Sequence, residues 1–268
     1  MNICIYSNCQ GQGIKFFLEK RINANYFIIE NYKYFDNPNL LPIDILKKTD
    51  ILIFQFTNAC HGICSTDSNS NENIFNYTKN DCIKIGIPSI FQSGFWPVIP
   101  GFGSCRDGHG IIKELKHKCN LHEIFALYDA NKIDFKLQER FTSCENHTKE
   151  IEEYYMKNTN LMIIPVTNFI RQNYKKYKLF FTHCHPTSYI FVHISNEIIK
   201  IINDKLFLNI QNYENTFSNK LEDGCISHDR WADSNYIKNA LDIEYVNDVN
   251  DINENITKQY IKEIYNNI

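Results

Sequence analysis

MNICIYSNCQGQGIKFFLEK, residues 1–20, is the stretch that decides the fold. Ile3-Cys4-Ile5-Tyr6 is a short apolar run of the kind that makes a buried strand, and Ile14, Phe17 and Leu18 follow at helical spacing. Ser7-Asn8-Cys9-Gln10-Gly11 turns the chain from one into the other, so Cys9 stands where the first strand hands over to a helix. Open α/β sheets bind their ligands at that end of their strands, and the N-terminus of a helix stabilises a thiolate. One cysteine of ten is singled out in this way.

Outward from this turn, strand and helix signals alternate over the first ninety residues. Residues 2–6 read as a strand, Gly13 to Arg21 as a helix, and Tyr26-Phe27-Ile28-Ile29 as a second strand. Ile43 to Lys48 reads as a short helix, Ile51 to Phe56 as the strongest strand, and Ile85 to Phe91 as the next. Continuous apolar strands separated by helices imply a parallel sheet covered on both faces. Two polar loops follow strands, Thr57 to Asn73 and the Gly- and Pro-rich Gln92 to Gly110, and both are expected on the sheet edge that carries Cys9. Beyond residue 110 the chain reads mostly helical, near 110–118, 121–129, 133–141, 146–157, 166–177, 188–202, 229–241 and 254–267. An extended piece, Leu179 to Thr182, interrupts the helices and delivers His183-Cys184-His185-Pro186. With no repeat and no linker, one α/β domain over 1–268 is expected. Residues 1–110 form the sheet and its loops, and 111–268 return His185 to the site.

At 268 residues, with 43% hydrophobic and 22% charged side chains, the composition is that of a globular protein with a substantial core. The net charge is −3 with both signs dispersed, so neither a nucleic-acid-binding stripe nor a polybasic membrane segment is present. The first apolar run is too short for a secretory leader, and no stretch approaches a transmembrane helix. A cytoplasmic protein with free thiols is expected, since no CxxC pair occurs among the cysteines.

Four groups of residues carry candidate chemistry. Cys9 is the candidate nucleophile, and such a thiol needs exposure and a base within reach; a buried turn cysteine is the alternative. His183-Cys184-His185-Pro186 projects one histidine over the sheet end as that base, because residues two apart on an extended chain face opposite ways; packing or capping is the alternative. The strand end Gln55-Phe56-Thr57-Asn58 places amides where they serve an oxyanion or cap a loop. Asp107-Gly108-His109-Gly110 reads as a turn whose Asp and His can meet substrate. Cys60-His61-x-x-Cys64 lacks a structural zinc spacing, so no metal is expected, and no phosphate-binding glycine motif occurs.

At these residues the chain resembles a known family. Tyr6-Ser7-Asn8-Cys9-Gln10-Gly11 is similar to the GNCQ opening of the WcbI-type polysaccharide biosynthesis proteins. Further matches are the Gln55 strand, Pro88-Ser89-Ile90-Phe91 leading to Phe95-Trp96-Pro97, and His185-Pro186. A more distant similarity is to SGNH hydrolases. Ser7-Asn8-Cys9 compares with their first block, Phe56-Thr57-Asn58 with the third, and Thr182-His183-Cys184-His185-Pro186 with the last, Thr182 taking the place of the acid.

The resemblance implies an SGNH- or flavodoxin-like three-layer α/β fold with a mainly parallel sheet and a helical C-terminal portion. It also implies a bacterial cytoplasmic acyltransferase that moves acetyl from acetyl-CoA to a sugar hydroxyl of capsular or other surface polysaccharide. On that reading Cys9 and His185 are catalytic, with Asn8 and Asn58 at the oxyanion. Ser7, Gln10, Gly11 and Gln55 face coenzyme A, while Ser93, Trp96, Asp107, His109 and His183 line the acceptor side. A cysteine-dependent esterase and a non-catalytic CoA- or glycan-binding subunit are the alternatives. The partner is a small-molecule or glycan acceptor, and self-association into a homo-oligomer is left open.

Overall fold

A computed structural model describes residues 1–92, 94–96, 106–214, 233, 235–246 and 256–267. In chain order the elements are β1 (Asn2–Ser7), α1 (Gly11–Glu19), β2 (Asn25–Glu30), α2 (Ile43–Leu46), β3 (Ile51–Gln55), β4 (Ile83–Ile87), α3 (Arg106–Lys116) and α4 (Leu121–Asp129). They continue with α5 (Leu137–Asn158), β5 (Met162–Ile163), α6 (Thr167–Asn173), β6 (Phe180–Thr182), β7 (His185–Pro186), α7 (Ser188–Leu206), α8 (Asn235–Leu241) and α9 (Ile256–Asn267). The chain divides into two compact units. Met1–Ile90, Thr148–Ile170 and Pro186–Ile226 make the first, and Phe91–His147, Arg171–His185 and Ser227–Ile268 the second.

The first unit holds a five-stranded sheet in the order β2-β1-β3-β4-β5, with every pairing parallel. Alternation along the strands assigns its two faces. Cys4 and Tyr6 of β1 stand in register with Leu52 and Phe54 of β3 and join Ile29, Leu41, Leu46, Ile74 and Cys82 in one apolar cluster. Ile3, Ile5 and Ser7 point the other way, and α1 packs on that face with α7 behind it. Gly13 permits the helix contact, since a Cβ there would stand 2.5 Å from the Phe191 ring.

β4 begins and ends earlier than the sequence pattern suggests, because Pro88 cannot extend the ladder with an N–H and Ile90 is buried in the loop beyond it. β5 is two residues long and, among the described residues, pairs with β4 alone, too short to leave a periodic signal.

In the second unit Phe95 packs edge-on against Phe141 and tilted against Phe180, and α3, α4 and α9 pack together. The turn expected at Asp107-Gly108-His109-Gly110 is instead the start of α3. Two glycines cost a helix about 1 kcal/mol each, less than helix packing supplies. The two helices expected at 133–141 and 146–157 are one, α5, because Thr142-Ser143-Cys144-Glu145 contains no breaker. The extended piece expected to run through His183 to Pro186 is a tight hairpin, β6 and β7, with His183-Cys184 as its turn.

Candidate functional site

β1 leads through α1 to β2 on one side of itself, and the chain then crosses back to β3 on the other side. The strand order therefore reverses between β1 and β3. In open parallel sheets the crevice outside the carboxyl ends of two such strands is where ligands bind. Here those ends are Ser7 and Gln55, and the segments that leave them are Asn8-Cys9-Gln10 and Phe56-Thr57-Asn58.

Amides hold this edge together. Gln55 Oε1 accepts the Asn8 N–H at 2.8 Å, and Gln55 Nε2 donates to Gln10 Oε1 at 2.7 Å. Gln10 Oε1 also accepts the Ile90 N–H, and Gln10 Nε2 donates to the Ile90 carbonyl at 2.6 Å. Two buried carboxamides thus tie the segments after β1, β3 and β4 to one another. Asn8 closes the turn from its side chain: Oδ1 accepts the Gln10 N–H at 2.9 Å, and Nδ2 donates to Ser89 Oγ at 3.2 Å. Ser7 is fully buried and lies where a Gly11 side chain would be. Cys9 is half-buried at the N-terminal end of α1, whose first turn has no acidic residue.

Across the crevice, the Thr57 N–H donates to Thr66 Oγ1 at 2.7 Å, which pins the segment after β3. Asn58 stands beyond it with an exposed side chain that makes no capping hydrogen bond. Of the sequence-predicted residues, Ser7, Asn8, Cys9, Gln10, Gly11, Gln55 and Asn58 all belong to this one edge of the first unit. Ser89, the partner of Asn8, was not singled out. Its signals were its place directly after Pro88, which follows β4, and its membership of the Pro88-Ser89-Ile90-Phe91 stretch that resembles the family.

The remaining candidates belong to the second unit. His185 opens β7, with Nδ1 2.7 Å from Thr182 Oγ1 and both ring nitrogens 4.0 Å from Cys184 Sγ. His183 is buried beside the Phe91 ring, and its carbonyl accepts the Gln92 N–H at 2.8 Å. Burial, with a smaller contribution from His185, pushes the His183 imidazole down to about 4. Trp96 is buried beside Phe95. Ser93 lies outside the described residues, and of Asp107 and His109 the backbone alone is described, within α3.

Among the described residues no group of three or more His, Cys, Asp or Glu side chains is placed to hold a metal ion. His61 stacks on Phe35 at 3.9 Å and Cys64 is buried against the Tyr34 carbonyl, so the Cys60-to-Cys64 segment is used in packing. No helix among the described residues is long and apolar enough to cross a membrane.

A parallel α/β sheet with its order reversing between β1 and β3, and a thiol at the head of the helix that follows β1, defines an open-sheet α/β protein. Residues 2–203 match the family described as polysaccharide biosynthesis enzyme WcbI, and the chain belongs to that family. A solved structure of WcbI, described as a novel polysaccharide biosynthesis enzyme, superposes with a TM-score of 0.53 at 14% identity. The match covers 80% of this chain and 73% of that one, and it establishes the shared fold. That structure is described as the native protein without a disulfide bond between coenzyme A and one of its cysteines. Comparison with curated proteins gave no match.

Proposed function

We propose that this protein is an acyltransferase of polysaccharide biosynthesis, moving an acetyl group from acetyl-CoA to a sugar hydroxyl. The observation that carries the reading is Cys9, half-buried at the head of α1 on the switch-point edge. The family relation supports it, since the WcbI structure is described in terms of coenzyme A and a cysteine. The edge suits such a ligand: it offers a thiol, an exposed carboxamide at Asn58 and a helix start without acidic side chains. Gln10 and Gln55, with their carboxamides engaged on one another and on the backbone, serve coenzyme A by holding the turn that faces it.

In the mechanism we favour, the Cys9 thiolate attacks the thioester carbonyl, the CoA thiolate leaves, and the acetyl group rests on Cys9. A general base then takes the proton of the acceptor hydroxyl as its oxygen attacks the acyl carbon, and Cys9 is released as thiolate; the His185 imidazole has the chemistry for that role. The carboxamides of Asn58 and Asn8 and the backbone at the head of α1 steady the oxyanion. Incubation with acetyl-CoA, rapid quenching and peptide mass spectrometry test this directly. A 42 Da adduct (roughly one acetyl group) on the Cys9 peptide that decays when acceptor sugar is added is expected. Full transfer by Cys9→Ala sinks the covalent route, and loss of all transfer to sugar with rapid thioester hydrolysis favours an esterase.

A further inference from the structure

The β6–β7 hairpin does more than carry His185. Thr182, the last residue of β6, is 2% exposed, and its Oγ1 lies 2.7 Å from Nδ1 of His185. The same oxygen lies 4.0 Å from Cys184 Sγ in the turn. The hairpin sets this spacing: a two-residue turn returns the chain beside itself, so the residue before the turn and the residue after it are partners. Threonine is β-branched and stiff about χ1, so a buried strand threonine holds its hydroxyl in a fixed direction.

A hydroxyl has one hydrogen to donate and two lone pairs to accept with, and a neutral imidazole has one of each. A hydroxyl that accepts from one ring nitrogen therefore leaves the lone pair on the other. We propose that Thr182 is the positioning residue of His185: its oxygen accepts the Nδ1–H, its own hydrogen is directed to Cys184 Sγ, and Nε2 is left as the basic nitrogen. The proposal rests on the reading of His185 as general base. When Nε2 takes a proton from the acceptor hydroxyl, both nitrogens become donors and the Thr182 oxygen already accepts from Nδ1. No group has to turn during the step. The orienting group is neutral, so it fixes the ring and its tautomer without placing a negative charge beside the imidazolium.

The test is a long-range proton–nitrogen correlation spectrum of 15N-histidine-labelled protein, recorded on the full chain without substrate and assigned with His185→Gln. A protonated Nδ1 and unprotonated Nε2 are expected for His185 in the wild type. Thr182→Ser keeps that pattern, and the near-isosteric Thr182→Val loses it. An Nε2–H tautomer in the wild type, or one pattern shared by all three proteins, overturns the proposal. In the transfer assay Thr182→Val lowers kcat by roughly tenfold to a hundredfold with KM for acetyl-CoA unchanged, and Thr182→Ser restores most of it. Equal falls in Thr182→Val and Thr182→Ser count against positioning. The spectra require no turnover, so they stand apart from the acyltransferase reading, which fails on its own account if His185→Ala transfers like the wild type.

Discussion

Gln55 donates to Gln10 at 2.7 Å, and each of these carboxamides is only 1% exposed. Between them they satisfy the backbone N–H of Asn8 and of Ile90 and the carbonyl of Ile90. A buried polar group that loses its partner costs about 1–3 kcal/mol. Gln10→Leu strands the two Ile90 groups and leaves Gln55 Nε2 with the Pro88 carbonyl alone at 3.5 Å, whereas Gln55→Leu strands the Asn8 N–H and takes one of the two donors from Gln10 Oε1. Gln10→Leu is therefore the more destabilising. The double variant loses less than the two single losses added together, by about 1 kcal/mol. Urea unfolding of the four proteins measures this, and additive losses would show that the amides act separately.

Gly11 and Ser7 are coupled by space alone. A Cβ on residue 11 would stand 2.1 Å from Ser7 Oγ and 3.1 Å from Ile5 Cγ2. Gly11→Ala forces the strand end and the helix start apart, with a loss of about 1–3 kcal/mol typical of overpacking. Removing the hydroxyl opens the space, since Ser7 Cβ is at an ordinary 3.5 Å from the added carbon. Ser7→Ala combined with Gly11→Ala is thus more stable than Gly11→Ala alone, aided by the roughly 1 kcal/mol helix preference of Ala over Gly. Thermal melts of the single and double variants decide it. A double variant no better than Gly11→Ala would place the strain elsewhere.

The β1-to-α1 passage was legible in the sequence because both elements bury one face and so print their periods on the chain. Strong burial of β3 and the extent of α4, expected near 121–129, were legible for the same kind of local reason. The edge that collects Asn8, Cys9, Gln55 and Asn58 followed from parallel topology, which puts every strand's carboxyl end on one side. What stayed hidden was long-range or very short. The Asn8–Ser89 bond joins residues 81 apart, β5 spans two residues, and the His183-Cys184 turn contains none of the Gly, Asn or Asp that usually mark one. The role of Gln10 and Gln55 was hidden too, because a carboxamide at a strand end looks the same whether it faces a ligand or another carboxamide.

Thiol reactivity separates the cysteines. Cys60 is exposed and Cys9 half-buried, whereas Cys4, Cys64 and Cys82 are buried. Burial pushes the Cys4 thiol up to about 12 and raises those of Cys64 and Cys82 as well. Native protein alkylated with iodoacetamide at pH 8 should label Cys60 and Cys9 and leave Cys4, Cys64 and Cys82 untouched until denaturant is added. Coenzyme A should slow labelling of Cys9 several-fold and leave Cys60 unchanged. Equal protection of both, or of neither, would separate coenzyme A from the β1–β3 crevice.

Acid should act through His183. Its imidazole is buried and pushed down from 6.5 to about 4, so the folded chain refuses a proton that the unfolded chain takes up. Stability is therefore full above pH 6.5 and is lost as the pH falls through the window down to about 4. The span corresponds to at most about 3 kcal/mol. His193, half-buried and also lowered, adds to the same slope, while Glu145 and Glu152, whose carboxyls are raised by burial, oppose it. Comparison with His183→Gln isolates the one contribution, because glutamine takes no proton. The variant is expected to be less stable than the wild type at pH 7.5 through lost packing on Phe91, yet to lose less on acidification. Urea midpoints at pH 7.5 and pH 5 measure both differences. Parallel losses in the two proteins would mean that His183 charges without opening the fold around it.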